Sequence, residues 1–474
     1  MGLLSRCTVG AISSSLFIAA PIRADDPPAQ PPGRADSSEE TVSTRAGEEV
    51  AFDSGAAARS KGILPIPDYG GDIWSRSYLT GDWGGLRSNL ADKGFQLELN
   101  WTNTLQSVVS GGLDHNAALG GALDLAMNFD LDRMGLVPGA LVKFRGQSRY
   151  GNWVNNDTGV LLPVNTIGFV PLTSPPGDEI PFAIEDLTYY QFFSEHFGAY
   201  VGKIDTFDGD PNEFASGRGI RQFMDMNFIF SPVSLPGVPY STLAAGIMII
   251  PIPEITITSS LMNTTDASTT SGFGDFGEGT TWATEADFQY RLGSLPGGQN
   301  LGFVYAFDNA YKNVGERFIF SPGEGFSVPT SGSTWAIYWS AWQYLYTPDA
   351  APGLINVRDG RPDLRGIGLF SRIGFADQNT NPFKFAASVG LGGRGLIPGR
   401  DNDTIGLGYY YNALQSDRIV SAPGAGDSTQ GLEAFYGLAI TPGANLTFDV
   451  QWAKSNIGGI DDALIIGARL NLPF

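Results

Sequence analysis

Residues 281–292 read TWATEADFQYRL, and every second side chain belongs to one chemical class. Trp282, Thr284, Ala286, Phe288, Tyr290 and Leu292 fall on one face of an extended chain, and Glu285, Asp287, Gln289 and Arg291 on the other. A period of two excludes an amphipathic helix. The last twelve residues, ALIIGARLNLPF (463–474), repeat the pattern: Leu464, Ile466, Ala468, Leu470, Leu472 and Phe474 alternate with Ile465, Gly467, Arg469 and Asn471. Ionised groups on a strand face must meet water or pair with each other, so the space behind these strands is wet or charge-paired.

Working outward, about sixteen such segments, each bounded by Gly, Pro, Asn or Asp, begin near Phe95, Leu119, Ala140, Phe182, Phe197, Tyr240, Glu254, Thr281, Leu301, Thr334, Leu364, Phe383, Thr404, Gly431, Ala444 and Ala463. Composition agrees with an all-β chain: 62 Gly, 30 Phe, 17 Tyr and 9 Trp accompany only 16% charged residues. A soluble sandwich would also alternate, but three features favour a transmembrane antiparallel β-barrel. The apolar faces carry more large side chains than one core needs. The polar faces carry ions, among them Glu98, Asp124, Lys143, Arg145, Glu285, Asp287, Arg291 and Arg469. The connections alternate in length: GLVPG (135–139), SEH (194–196), IPE (252–254) and TPG (441–443) are short, whereas 150–181, 206–239, 264–280, 309–333 and 415–430 are long. Short periplasmic turns opposite long external loops are the outer-membrane pattern, to which 347–363 and 392–403 are exceptions. An even number of strands near sixteen leaves an aqueous lumen.

Before the first strand, YLTGDWGGLRSNLADKG (78–94) reads as a helix of about ten residues, with Asp82 as N-cap, Leu86 and Leu90 one turn apart, and Lys93-Gly94 at the end. Its expected place is the periplasmic rim, with Leu86, Leu90 and Trp83 tucked against the barrel. Residues 1–24, MGLLSRCTVGAISSSLFIAAPIRA, have the form of a secretory signal peptide and contain the only cysteine, Cys7. Residues 25–73 are acidic and Pro-rich, and read as a disordered periplasmic extension. The domain expectation is thus 74–94 for the rim helix and 95–474 for the barrel.

A net charge of −20 argues against a nucleic-acid partner. The most apolar later stretch, LAAGIMIIPIPEI (243–255), is too short and too Pro-broken for a membrane helix. No metal or cofactor pattern is present; FDGDPNE (207–213) has alternating Asp208, Asp210 and Asn212 but lacks the glycine and terminal glutamate of a calcium loop. The two histidines, His115 and His196, are expected at opposite barrel ends, which leaves no Ser-His-acid relay and argues against an enzyme.

LTGDWGGLRSNLADKG (79–94), SGG (110–112), GKIDTFDGDPNEFASGRGIRQFMDMNF (202–228) and the terminal Phe474 resemble the carbohydrate-selective porin family called OprB, over about residues 74–474. The resemblance implies a sixteen-stranded outer-membrane porin passing monosaccharides and related small solutes by diffusion. Outer-membrane lipid and the barrel assembly machinery are the partners it implies, with a homotrimer left open. Selectivity in such a pore follows the width and lining of a constriction. The third external loop, 206–239, is long enough to fold inward and offers Asp208, Asp210, Glu213, Arg218 and Arg221. Facing wall groups are Lys143, Arg145, Arg149, Glu185, Lys203 and Asp205, with Trp153 or Tyr150 as stacking surfaces for a pyranose. Mixed charge of this kind orients hydroxyl dipoles without excluding a neutral sugar. The competing readings are a general or ion-selective porin without sugar preference, and a surface adhesin or lectin, which would be extractable without detergent.

Overall fold

The computed structural model describes residues 62–474 except 175, 208–210, 313–318, 322–324, 328, 349–363 and 416–425. The expected signal peptide and most of the extension lie outside the described residues. Sixteen strands close into one antiparallel barrel: β1 (Phe95–Ser110), β2 (Ala117–Asp130), β3 (Ala140–Gly151), β4 (Ile180–Ser194), β5 (Phe197–Asp205), β6 (Ser241–Ile252), β7 (Ile255–Asn263), β8 (Thr280–Leu292), β9 (Leu295–Lys312), β12 (Thr330–Tyr346), β13 (Gly366–Ala376), β14 (Phe383–Arg394), β15 (Thr404–Leu414), β16 (Ser428–Thr441), β17 (Ala444–Ala453) and β18 (Ala463–Pro473). The short hairpin β10 (Ile319–Ser321) and β11 (Gly325–Ser327) lies in the connection between β9 and β12. Each strand pairs with its sequence neighbours, and β1 closes on β18 from Asn100↔Pro473 to Ser110↔Leu464. Closure leaves no unpaired edge, the condition for strands to span hydrocarbon.

Alternation has the expected sense. On β8, Trp282 is 41% exposed while Glu285 on the opposite face is 3% exposed, and on β18 Leu464 and Ile466 face outward while Arg469 and Asn471 are buried. The expected start of β9 at Leu301 falls six residues late. Pro296, Gly297 and Gly298 look like a turn but belong to the strand, pairing with Arg291, Tyr290 and Gln289. The reason is steric: a Cβ at Gly298 would meet Trp342 Nε1 at 2.5 Å, so the glycine makes room for a neighbouring ring.

The rim helix is shorter than expected, seven residues (Leu86–Asp92) after a 3-10 turn at Trp83–Gly85. Gly84 and Gly85 adopt φ of 70° and 93°, which delays the helix and turns its face. Gly85, not Asp82, takes the N-cap position, but the Asp82 carboxylate reaches the first turn, accepting Ser88 N–H at 2.7 Å and the Ser88 hydroxyl at 2.8 Å. Leu86 and Trp83, expected to tuck in, are exposed; Arg87 and Ala91 are the buried pair. Arg87 lies 4.2 Å over both the Tyr69 and Tyr78 rings and donates to Leu97 O (2.6 Å) and Phe474 O (2.8 Å), joining the first and last strands. Residues 62–73, the end of the expected extension, are fastened as well. Asp130 accepts Ile63 and Leu64 N–H at 2.6 and 3.0 Å, and Gln96 donates to Pro65 O at 2.7 Å.

Connections 131–139, 195–196, 253–254, 293–294 and 442–443 form the short-turn end, together with the longer 347–365 and 395–403. At the opposite end, loops L2 (152–179), L3 (206–240) and L4 (264–279) are long. L3 is packed within the barrel rather than over it. Its Phe214, Phe223 and Phe228 join Tyr344, Phe370, Tyr410 and Phe435 of the wall in one buried cluster, and its Met226, Ile229, Phe230, Val233 and Val238 join Ala283, Val304, Ala336 and Ala386 in another. Inner-wall glycines admit these rings: a Cβ at Gly368 would lie 2.3 Å from Phe214, and one at Gly408 2.5 Å from Phe228. Each buried ring contributes roughly 1.5–3 kcal/mol. The interior is therefore not uniformly polar: rings of L3 and of the wall form apolar clusters inside it.

Candidate pore constriction

L3 crosses the lumen because buried ions of the wall hold its backbone. Glu433 on β16 accepts the successive amides of Met224 (2.6 Å) and Asp225 (2.9 Å). Arg372 on β13 donates to Phe228 O at 2.8 Å and to Ala215 O. Arg469 on β18 donates to Gln222 O at 2.8 Å and to Gly219 O. Asn412 and Asn381 add bonds to Asn227 Oδ1 (2.7 Å) and Val233 O (2.8 Å). Inside L3, burial pushes the Asp225 carboxyl up to about 7 although Asn227 donates to it.

On the other flank stands Arg218. It adopts φ +59° between Gly217 and Gly219, both also at positive φ, a conformation that costs an arginine roughly 1–3 kcal/mol. What holds it is charge: the guanidinium donates to Glu185 Oε2 (3.0 Å), to the Tyr240 hydroxyl (2.5 Å) and to Asp205. Beside it Arg145 pairs with Asp124 at 2.9 Å. A crevice of about 10 Å³, room for one water, opens between Thr102, Ala122, Asp124 and Gln147 of the wall, Ile167 and Val170 of L2, and Arg218 and Ile220 of L3. Asp124 Oδ1 on the crevice and Glu185 Oε1 beside Arg218 are buried without a hydrogen-bond partner. Unpaired carboxylate oxygens beside guanidinium groups form a surface that exchanges hydrogen bonds with water or hydroxyls.

Of the residues expected from sequence, Arg145, Glu185, Asp205 and Arg218 come together, with Arg221 half-buried on L3. Asp208 and Asp210 lie outside the described residues. Four others are placed differently. Arg149 donates to Pro171 O (2.8 Å), Thr173 Oγ1 (2.9 Å) and Asp178 O (2.7 Å), so it fastens L2. Trp153 is buried against Ala122 and Ile167, with no open ring face, and Tyr150 bonds Asn103 and Trp101 on the outer face. Lys203 shares the outward face of Val201 and opposes Leu187 across the ladder; its ammonium donates to the L4 carbonyls of Ala267 and Thr270. An arginine or lysine attracts loop carbonyls as readily as solute, and sequence does not rank the two. Sequence reading did not single out Arg372 and Glu433; alternation places both on the inner face, but their partners are main-chain groups of L3, which carry no sequence signal. The histidines do lie at opposite ends, in 111–116 and 195–196.

Comparison with known proteins agrees with this architecture. The sequence is 22% identical over 436 residues to Porin B of Pseudomonas aeruginosa, covering 84% of this chain and 91% of that protein. The fold matches the high-pH structure of Pseudomonas putida OprB with a TM-score of 0.71 at 20% identity, covering 85% of this chain and 99% of that one. The low-pH structure of the same protein matches at 0.51 and 18% identity. The family description "Carbohydrate-selective porin, OprB family" matches residues 114–474, well over half of the sequence. The chain belongs to the OprB family of carbohydrate-selective porins, and its lipid-facing apolar wall, closed seam and inward-folded loop are those of a sugar channel in a Gram-negative outer membrane.

Proposed function

We propose that neutral monosaccharides such as glucose diffuse passively past the mixed-charge rim made by Arg145, Glu185, Asp205, Arg218 and Arg221, which sets the sugar preference. The observation that carries this reading is the Arg218–Glu185–Asp205 cluster beside the unpaired oxygens of Asp124 and Glu185. Opposed charges across a narrow gap orient dipoles while leaving a neutral solute free to pass. A hydroxyl can donate to a carboxylate and accept from a guanidinium in one pose, which an inorganic ion cannot do. On the same reading the protein performs no chemistry on its solute, since the two histidines lie at opposite ends of the barrel and cannot act together. The barrel assembly machinery as inserting partner, and a homotrimer as working unit, belong to this proposal too; native mass measurement in detergent tests the second.

The test is planar-bilayer conductance of the detergent-purified protein, with glucose, maltose and a charged control titrated in. Sugars should block the open-channel current in a saturable way, and Arg218→Ala or Arg221→Ala should weaken the block. Channels that ignore sugars but discriminate ions would replace this reading with that of a general porin.

A further inference from the structure

L4 does not rise away from the barrel. Ala267 N–H donates to Ser241 O at 2.7 Å, and the Asp266 carboxylate accepts from Ser241 N–H (3.0 Å), Ser268 N–H (3.0 Å) and the Ser268 hydroxyl (2.6 Å). Lys203 then reaches Ala267 O at 2.6 Å and Thr270 O at 2.8 Å from the outward face of β5. Gly272 lies against the Leu243 side chain, where a Cβ would meet Cγ at 3.1 Å. The loop thus leaves β7, crosses β6 and is clipped to β5 on the outer side of the wall.

The tip of this flap carries Phe273 and Phe276, 68% and 64% exposed, with ring centroids 6.3 Å apart. Among the described residues of the long-loop end, these are the exposed aromatic side chains outside the strands. The adjacent wall strands β4 to β7 present Leu187, Val201, Ile247 and Leu261, all exposed, so the flap lies over strands whose outer face is the apolar belt that meets lipid. Leaving two phenyl rings in water forgoes the favourable burial of their area, whereas the membrane interface is where aromatic girdles of barrels settle.

We propose that L4 is a lipid anchor: Phe273 and Phe276 seat in the outer-leaflet boundary, and Lys203 is the clip that folds the loop down to it. The occupant is lipid rather than a second copy because the patch is continuous with the lipid-facing wall and small. The proposal rests on the outer-membrane barrel and is independent of which solute passes.

Cysteine occurs only at position 7. With Cys7→Ser, the variant Phe273→Cys gives one nitroxide site on the full chain, and Phe276→Cys gives a second should the first fail to fold. The labelled protein is reconstituted in vesicles of phosphatidylcholine with lipid A, and collision with oxygen and with a water-soluble nickel complex is measured. The expected result is an oxygen-to-nickel ratio matching that of a label at Leu261, falling to that of a label at Asp114 in the exposed 111–116 loop when Lys203→Met is added. A label at 273 or 276 that is nickel-accessible from the start overturns the proposal. So does dipolar broadening between labels, which would mean that the flap meets another copy.

Discussion

Glu433 gives the sharpest perturbation of the constriction, because one carboxylate receives two adjacent amides of L3, at 2.6 and 2.9 Å, and every atom involved is buried. A buried backbone donor left without its acceptor costs about 1–3 kcal/mol, whatever the charge of the acceptor. Glu433→Ala removes both acceptors, so about 3–5 kcal/mol is lost from docking L3. At 1.4 kcal/mol per tenfold, the docked-to-undocked ratio falls by roughly two to four orders of magnitude. Glu433→Gln keeps one acceptor oxygen and is expected to lose about half as much in free energy, by the same count of bonds. The wall does not depend on this residue, since β16 keeps its ladders to β15 and β17. In single-channel recordings the alanine variant should show larger and noisier conductance steps and weaker sugar block, with glutamine between it and the parent. The heat-modifiable gel band of the folded barrel should persist. Unchanged steps and unchanged block in a folded Glu433→Ala barrel would refute the claim that this carboxylate positions the constriction.

Three further outcomes follow from other contacts. Arg218→Lys places a point charge where a fork bridges Glu185, Asp205 and the Tyr240 hydroxyl; breaking such a buried pair costs about 3–5 kcal/mol, so sugar block in bilayers should fall nearly as far as with alanine. Arg87→Ala loses two carbonyl contacts and the stacking on Tyr69 and Tyr78, about 2–4 kcal/mol, and should lower the temperature at which the folded gel band disappears while leaving conductance unchanged. Burial in L3 raises the Asp225 carboxyl from 3.8 to about 7, so between these pH values the folded state keeps a proton there. The folded state then binds a proton that the unfolded chain has released, so stability falls as pH rises through that window, by at most about 1.4 kcal/mol per pH unit. Melting followed across the window should show this slope in the parent and a flatter one in Asp225→Asn; an identical slope in both would remove Asp225 as its source.

The wall was legible because its rule is local. Trp282 against Glu285, or Leu464 against Arg469, needs only a period of two and the requirement that ions avoid hydrocarbon, and sixteen strands follow by counting segments. The misses are also local in cause. Pro296-Gly297-Gly298 carries the composition of a turn, yet its glycines answer to Tyr290 and Trp342 on neighbouring strands, information that lies up to 45 residues away. Gly84-Gly85 likewise displaced the rim helix and put Arg87, not Leu86, against the barrel. For the constriction, sequence supplied the loop and its ions but not their pairing. Lys203 and Arg149 look like pore lining by type, and each is instead satisfied by main-chain carbonyls of a folded loop.

That contrast bears on how a wide barrel becomes selective. A sixteen-stranded wall encloses more space than a monosaccharide needs, so width must be removed by packing loops inward, and an inward loop brings unpaired amides and carbonyls into a partly dry interior. Each such group must find a partner, and the inner strand face supplies them as Glu433, Arg372 and Arg469. These three side chains are therefore committed to holding the constriction before any solute arrives. On the proposed reading, the groups that meet a sugar are among those with an unpaired oxygen, Asp124 and Glu185 beside Arg145 and Arg218. On that reading selectivity resides in lone pairs that loop packing leaves over, so removing a distant anchor such as Glu433 should alter sugar block as surely as removing a residue beside those lone pairs.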